Sequence, residues 1–340
     1  MAAAEDSRVL AIASHLRFNS YVGNCVTTFV LQVMGLEVSP LNTVQFSNHS
    51  GYKQTKGYRT TGAQIKELYE GLKMNGNDDF GMLLTGYIPG AEGVEVVGEI
   101  VRDLKGRKKV FWLLDPVMGD QGRLYVADDV IPVYKSLLPL ADLIVPNQFE
   151  AELLSGVKVD SLESLSQALT TLHQIYKVPH VIITSVTFGT SDKKMECAGS
   201  TVTSTGNSRK FVVDVSIIDG FFSGTGDMFA ALTMARFRAE AEADGLLGTA
   251  SWMSPDEVDA LELPLARAVE KVLGSMHNVL LKTQEARDRR MVTLRAAVPD
   301  EALEERARHV RLTKASELRL VQSQRELLDP GVCVKAARLE

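Results

Sequence analysis

A turn with two glycines stands out as a place where chemistry could occur. Gly224, Thr225, Gly226 and Asp227 lead into the apolar segment Met228–Leu232. If a helix starts here, its first N–H groups are unpaired and lie at the positive end of the helix dipole, which suits a phosphoryl group in transfer. Asp227 could then accept the proton of an attacking hydroxyl. The alternative is that Asp227 only caps the helix, and this segment alone does not decide between the two.

A second candidate site is the segment 115–120, with the sequence DPVMGD, which follows an apolar run. It places two carboxylates, Asp115 and Asp120, on one turn. Such a pair suits Mg²⁺, a hard cation that takes oxygen ligands and keeps several waters. The alternative is an ordinary turn whose aspartates accept hydrogen bonds from their own backbone.

A third candidate site starts at Asn147, which is followed three residues later by Glu150. At the start of a helix, residues three apart can share one face. Their side chains could hold water bound to Mg²⁺, although an asparagine cap with an acidic first turn would look the same.

The polar segment 45–52 is a fourth candidate, because it carries two aromatic residues, Phe46 and Tyr52. A flat heteroaromatic substrate needs stacking surfaces and a few directed hydrogen bonds. Within this segment, we expect His49 to be a structural hydrogen-bonding residue rather than a catalyst.

The elements that must position these residues alternate along the chain. Short apolar runs predict strands, and longer amphipathic stretches predict helices between them. This alternation indicates an α/β fold with a mostly parallel central sheet and helices on both faces. The predicted strands are 9–13, 37–44, 82–85, 110–114, 143–145, 181–184 and 211–215, and the predicted helices are 22–34, 61–72, 93–104, 162–176, 227–238 and 257–282. Thr61 and Gln64 form a capping-box pattern at one helix start.

Two stretches lack a clear place in this pattern. Residues 187–207 are rich in Gly, Ser, Thr, Asp and Lys, and we expect a polar hairpin and loop. Residues 285–314 are dense in Arg and Glu with little apolar periodicity, which favours a solvated insertion or mobile segment. No internal repeat is present, so a single domain over residues 1–340 is the simplest prediction.

Composition excludes several classes of protein. The chain has 340 residues and a formal net charge of −6, which disfavours a nucleic-acid-binding protein. The segment Met1–Ser7 lacks the basic and apolar regions of a signal peptide, and no apolar run approaches the ~20 residues needed to cross a bilayer. We therefore expect a cytoplasmic protein with no membrane partner.

Taken together, these segments resemble the pyridoxal kinase family over nearly the whole chain, from Val9 to the stretch Glu317–Ser323. The turn 224–227 and the segment 115–120 are similar to the wider ribokinase-like superfamily. Other segments are more specific and resemble the pyridoxal kinase branch of that superfamily: 21–24 (YVGN), 46–52 (FSNHSGY), 84–87 (LTGY) and 147–154 (NQFEAELL).

The resemblance implies a three-layer ribokinase-like fold and a phosphotransferase that uses ATP to phosphorylate the 5′-hydroxymethyl group of pyridoxal, pyridoxine and pyridoxamine in vitamin B6 salvage. It also implies Mg²⁺ or Zn²⁺ as the divalent metal, K⁺ as an activator, and a homodimer. By position, Asp227 would be the base; Ser14, Ser50, Tyr87 and Asp227 would bind substrate; Asp115, Tyr125, Thr184, Ser185, Gly224, Thr225 and Gly226 would bind ATP; and Asp115, Asn147 and Glu150 would surround the metal and its waters.

The chain departs from the family pattern in three places. Ser50 stands where the family usually has threonine, so a hydroxyl is retained. Between Ser14 and Tyr21 there is one residue more than the family has, and Ser20 replaces a glycine. An extra residue beside the site could displace Ser14 by up to ~3.5 Å and reduce efficiency. The charged segment 285–314 is expected to lie away from the motifs, with a peripheral role.

Two other functions stay open on the sequence. One is a kinase for another small alcohol, such as hydroxymethylpyrimidine or a sugar. The other is a B6-binding or regulatory protein with impaired catalysis, motivated by the altered segment around Ser20.

Overall fold

The structure is a computed structural model that describes residues 7–16, 20–189, 194–331 and 334–340. A ten-stranded sheet runs through this part of the chain. The strands of the sheet are β1 Arg8–Leu16, β2 Glu37–Phe46, β3 Gly57–Arg59, β4 Met82–Thr85, β5 Phe111–Leu114, β8 Leu143–Ile144, β9 His180–Val186, β10 Lys194–Val202, β11 Ser208–Ser216 and β12 Ala337–Arg338. A separate hairpin consists of β6 Gly119–Asp120 and β7 Arg123–Leu124. The strand order in the sheet is β12-β11-β10-β9-β8-β5-β4-β1-β2-β3.

The central strands of the sheet are parallel. Strands β2, β1, β4, β5, β8 and β9 pair in parallel, whereas β3 at one edge and β10, β11 and β12 at the other are antiparallel. The carboxyl ends of six strands therefore share one edge of the sheet.

Helices cover both faces of the sheet, because neighbouring strand residues point to opposite sides. Val9 packs into one core and Leu10 into the other. The helices are α1 Asn24–Val33, α2 Gly62–Met74, α3 Ala91–Arg107, α4 Val130–Leu137, α5 Gln148–Ser155, α6 Leu162–Tyr176, α7 Thr225–Ala243, α8 Pro264–Ala297, α9 Glu305–Ala315 and α10 Gln324–Leu328. Helices α1, α7, α8 and α10 contribute to the first core and α2 to α6 to the second, which confirms the predicted three-layer α/β architecture.

The stretch 187–207 contributes to antiparallel hairpins as expected, but the expectation that it is polar and loop-like is wrong for its middle part. Residues 194–202 form β10, which pairs with both β9 and β11 and buries the small residues Cys197 to Thr201. These residues look polar in sequence but are small enough to pack closely. A Cβ added to Gly199 would lie 2.2 Å from Cζ of Phe211, so the glycine makes room for that ring.

The predicted helix 257–282 is displaced toward the C-terminus. Residues 256–263 form turns, and α8 starts at Pro264. Proline has no N–H to lose at the first position of a helix, so it favours a start there. The helix then continues to Ala297, well into the segment expected to be solvated.

The charged segment 285–314 is not a loop, and the expectation that it lies away from the motifs is wrong. It contains the end of α8 and nearly all of α9. His309 Nε2 lies 2.6 Å from the carbonyl oxygen of Gly51, and Arg306 hydrogen-bonds Gln54. Its charges pair locally, as in Arg311 with Asp300, which explains why few apolar residues are needed.

Two predictions from sequence concern residues outside this description. Residues 17–19, which are part of the longer stretch between Ser14 and Tyr21, are among them, as is most of the segment Met1–Ser7. Among the residues that the structure does describe, no helix combines the length and the apolar character required to span a bilayer.

Candidate functional site

Polar residues follow the parallel strands at the edge where their carboxyl ends meet. Ser14 lies near the end of β1, Gly86 and Tyr87 follow β4, Asp115 follows β5, and Asn147 follows β8. In open parallel sheets this edge is where ligands bind. The structure therefore gathers residues from separate motifs into one region.

The glycine turn before α7 has the conformation that an anion site requires. Gly224 has a φ of 86° and the helix begins at Thr225, two residues before the predicted start at Asp227. A Cβ on Gly224 would lie 1.9 Å from the carbonyl oxygen of Tyr21, so both the backbone angle and the space demand glycine. Thr225, Gly226 and Asp227 form the first turn, whose N–H groups have no partner within the helix.

Asp227 does not act as a cap of its own helix. Its Oδ2 accepts a hydrogen bond of 2.7 Å from the N–H of Gly23, which belongs to a different segment. A Cβ on Gly23 would lie 2.2 Å from both the Oγ and the carbonyl oxygen of Ser14, so Ser14 and Asp227 both adjoin this glycine. A Cβ on Gly86 would lie 3.7 Å from Oδ1 of Asp227. The carboxylate thus sits over the ends of β1 and β4.

Three carboxyl groups cluster at this edge, and each has a raised pKa. The pKa of the buried Asp115 lies well above its ordinary value because of burial and the negative charges of Glu150 and Asp227. Burial also raises the pKa of Asp227 to about 6, although it keeps partial contact with solvent. The pKa of Glu150 rises to about 7 for the same reason, despite N–H donors that favour its charged form. Such a cluster is stabilised by a cation.

Asn147 and Glu150 form a capping box at the start of α5, so the alternative of an asparagine cap with an acidic first turn describes this pair correctly. Asn147 Oδ1 accepts from the N–H of Glu150, and Glu150 Oε2 accepts from the N–H of Asn147. Glu150 Oε1 also accepts from the N–H groups of Met118 and Gly119, at 2.8 and 3.3 Å. These oxygens retain lone pairs for water, but their geometry is fixed by the protein.

The second aspartate of the segment 115–120 has a different environment from the first. Asp120 lies in the β6–β7 hairpin, and its Oδ1 accepts from the N–H of Gln121. It therefore satisfies its own turn, as the alternative interpretation held. In the described residues, no three His, Cys, Asp or Glu side chains form a ready metal site. The residues fit Mg²⁺ all the same, because it is commonly held by one or two carboxylates, waters and substrate phosphates.

The residues expected at the nucleotide lie along the neighbouring rim. Thr184 forms a bridge to Asn147, and its N–H donates to the carbonyl of Pro146 at 2.9 Å. Ser185 follows in the left-handed region, with a φ of 56° and an exposed side chain. Tyr125 follows β7, and its ring is 60% exposed. Thr184 adjoins the acidic cluster, whereas Ser185 and Tyr125 present open surfaces beside it.

The segment 46–52 borders the glycine turn. Ser50 is exposed at the start of a short 3₁₀ helix, Ser50–Tyr52. His49 is buried and its Nδ1 lies 3.3 Å from Oγ of Ser223, the residue before Gly224. Tyr87 is half-buried across the site, and its carbonyl accepts from Thr43 Oγ1 at 2.7 Å.

Glu317 is a buried polar residue that sequence reasoning did not single out. Its carboxylate accepts hydrogen bonds from Ser20, His49 and Tyr52. A single glutamate in the stretch 317–323 carries no local signal of burial, and its partners are more than 260 residues away. Only the presence of His49 and Ser20 in motifs near the site hinted that a partner was needed.

Comparisons with known proteins agree on one family. The profile of the phosphomethylpyrimidine kinase family matches residues 30–250. The chain is 35% identical to human pyridoxal kinase over 98% of its own length and 99% of the human chain, and 33% identical to the Arabidopsis thaliana enzyme over 98% and 95%. Among solved structures, pyridoxal kinase from Leishmania donovani in complex with ADP and pyridoxine superposes with a TM-score of 0.78 at 30% identity, covering 98% of this chain and 100% of that one.

Proposed function

The chain belongs to the pyridoxal kinase family, and we infer that it is an ATP-dependent kinase that phosphorylates the 5′-hydroxymethyl group of pyridoxal, pyridoxine and pyridoxamine. The product from pyridoxal is pyridoxal 5′-phosphate, the cofactor form recovered in vitamin B6 salvage. The acidic and glycine positions are present and converge at one edge of the sheet, which argues against the alternative of impaired catalysis.

One observation carries this inference. Asp227 lies in the first turn of α7, beside Gly86 and Ser14, and close enough to Asp115 for their charges to interact. Phosphoryl transfer depends mostly on positioning and on neutralising charge. Here a base lies next to an anion-binding turn, which positions the phosphoryl group, and next to an acidic cluster, which suits a cation that neutralises charge.

The roles of individual residues follow from this arrangement. The turn Gly224, Thr225 and Gly226 receives the γ-phosphoryl through its N–H groups, and Asp227 accepts the proton of the hydroxymethyl group. Asp115 would hold the divalent metal, which is Mg²⁺ or Zn²⁺, and Asn147 and Glu150 would hold its waters. The metal, when bound, neutralises charge on the phosphates.

Other binding roles are proposed on weaker geometric grounds. Ser14, Ser50 and Tyr87 contact the substrate ring. Ser14 adjoins Gly23, which donates to Asp227, and Tyr87 follows Gly86, which adjoins the same carboxylate. Ser50 follows His49, which contacts Ser223 beside the glycine turn. Tyr125, Thr184 and Ser185 contact the nucleotide along the adjoining rim. K⁺ serves as an activator, by the family resemblance alone.

We also propose the larger organisation expected from sequence. Residues 1–340 act as a single domain, the protein works as a homodimer, and it functions in the cytoplasm. The ten-stranded sheet, which incorporates strands from Arg8 to Arg338, supports the single domain.

The purified protein tests the function directly. With Mg-ATP and K⁺, pyridoxal should give pyridoxal 5′-phosphate, and omission of ATP should abolish the product. Hydroxymethylpyrimidine is the informative competitor, because the matching family profile bears the name of a pyrimidine kinase. Faster turnover of the pyrimidine than of all three B6 vitamers would overturn the proposed substrate, and binding of pyridoxal with no product would indicate a binding protein.

A further inference from the structure

A buried carboxylate joins two segments that border the glycine turn. Oε2 of Glu317 accepts from Ser20 Oγ at 2.7 Å, while Oε1 accepts from Tyr52 OH at 2.8 Å and lies 3.1 Å from His49 Nε2. The three partners belong to segments 20–24 and 46–52. Glu317 is only 8% exposed, so these donors replace the water that a carboxylate would otherwise hold.

The hydrogen bonds around His49 define the proton on its ring. The N–H of Gly51 donates to His49 Nδ1 at 3.1 Å, so Nδ1 is an acceptor. Nε2 must then carry the hydrogen that it shares with Glu317, which is the neutral tautomer. With Nδ1 as acceptor, the hydroxyl of Ser223 can donate to it at 3.3 Å. Glu317 therefore orients His49, and His49 orients Ser223 next to Gly224.

Close packing makes this connection rigid. A Cβ on Gly51 would lie 2.7 Å from the His49 ring and 3.6 Å from Ser223 Oγ, so the loop backbone rests directly on these two side chains. The rings of His49 and Tyr52 are 4.8 Å apart between centroids. On the Ser20 side, the carbonyl of Tyr21 occupies the space that a side chain at Gly224 would need. Both segments held by Glu317 thus touch the phosphate-binding turn.

We propose that Glu317 is a positioning residue for the acceptor substrate: its carboxylate fixes segments 20–24 and 46–52 against the turn 223–227, so that the substrate hydroxyl is held toward Asp227. Ser20 takes part through its hydroxyl, which a glycine at that position would lack. This inference rests on the proposed function for the identity of the substrate, but the positioning itself is a property of the protein.

The kinetic test compares two buried carboxylates. Glu317→Ala removes the proposed positioning group. Glu240→Ala is the matched control, since Glu240 is 9% exposed, is paired with Arg267 and Lys271, and lies 13 residues, or about 20 Å, along α7 from Asp227. We expect Glu317→Ala to lower kcat/KM for pyridoxal by about 10–100-fold, the loss of rate that an ångström-level misplacement causes, and to change the Kd for ATP by less than about twofold. Glu240→Ala should leave both constants within about twofold.

Hydrogen exchange provides a readout that does not require activity. In the wild type, the N–H groups of Gly51, Tyr52 and Lys53 donate within the loop and should be protected. Glu317→Ala should abolish that protection, whereas Glu240→Ala should retain it. If the wild type forms no pyridoxal 5′-phosphate, the proposed function fails, and the exchange comparison still decides the positioning role.

Several results would overturn the positioning role. These are an unchanged kcat/KM for pyridoxal in Glu317→Ala, an equally large rise in the Kd for ATP, or loop protection equal to that of the wild type. Should Glu317→Ala fail to fold, Tyr52→Phe replaces it, because that variant removes one hydroxyl and leaves the carboxylate paired with Ser20 and His49. We then expect kcat/KM for pyridoxal to fall by about 3–10-fold, because only one of the three hydrogen bonds to the carboxylate is lost, and no change would contradict the proposal.

Discussion

At the scale of single residues, the types of chemistry were predictable and the contacts between them were not. The sequence identified Asp115, Asn147, Glu150 and Asp227 in separate motifs, each of which could also have only a structural role in a turn or a helix cap. The structure supports the purely structural role, in a turn or a helix cap, for Asp120 and, in part, for Asn147. It does not support a cap role for Asp227, whose carboxylate accepts a hydrogen bond from the N–H of Gly23 and not from its own helix. A motif states which groups are available, whereas the distance between Asp115 and Asp227 depends on a fold that spans 112 residues between them.

The raised pKa of Asp227 predicts a cost in stability. Its pKa of about 6 in the folded protein exceeds the ordinary value of 3.8. Between these values the folded state keeps a proton that the unfolded state has lost, so the contribution of this group to stability falls as pH rises from about 4 to 6. Asparagine cannot ionise. Asp227→Asn should therefore raise the free energy of unfolding at pH 8, by up to about 3 kcal/mol, and make little difference near pH 4.

Urea unfolding between pH 4 and pH 8 measures this effect. The control is Asp128→Asn, which removes an exposed carboxylate of the same type, and the effect of Asp227→Asn is taken as the difference between the two variants. A loss of stability in Asp227→Asn at pH 8 would contradict a pKa of Asp227 that burial raises.

At the scale of helices and strands, prediction succeeded where the signal is local. The strand Met82–Thr85 and the helix Leu162–Tyr176 have the predicted bounds, and Thr61 with Gln64 forms the predicted capping box. It failed where partners determine the structure: Ser200 and Thr201 are buried only because β9 and β11 flank them. The charged segment 285–314 was misjudged for a related reason, because ion pairs and a contact to Gly51 help to hold α9 in place with few buried apolar residues.

The capping boxes of α5 and α6 allow a structural role to be separated from a role at the metal. Asn147→Ala and Ser161→Ala each remove the side chain that accepts from the third residue of a helix. Each should lower the free energy of unfolding by about 1 kcal/mol. Only Asn147→Ala should also raise the Mg²⁺ concentration for half-maximal activity, by about 10-fold, as expected for a residue that orients metal-bound water.

Activity measured against Mg²⁺ at fixed ATP distinguishes the two variants. Equal Mg²⁺ dependence in Asn147→Ala and Ser161→Ala would remove Asn147 from the metal site and leave it as a cap alone.

At the scale of the whole molecule, the site depends on contacts between distant parts of the chain. Glu317 meets Ser20 and His49, and Gly23 meets Asp227 across 204 positions. The parallel sheet makes these meetings possible because its strands all deliver their polar ends to one edge. The alternation of strands and helices was sufficient to predict that edge and the α/β class. It carried no information on Glu317, whose role exists only once the C-terminal part of the chain returns to the segments that precede the site.

The central claim is that Asp227 accepts the proton of the substrate hydroxyl beside the glycine turn. The most direct measurement is the kcat of Asp227→Asn with saturating pyridoxal and Mg-ATP, together with the Kd for ATP. We predict that kcat falls by about 10²–10⁴, the usual loss for an acid–base group, while the Kd for ATP stays close to that of the wild type. A variant that keeps a near-normal kcat would contradict the account.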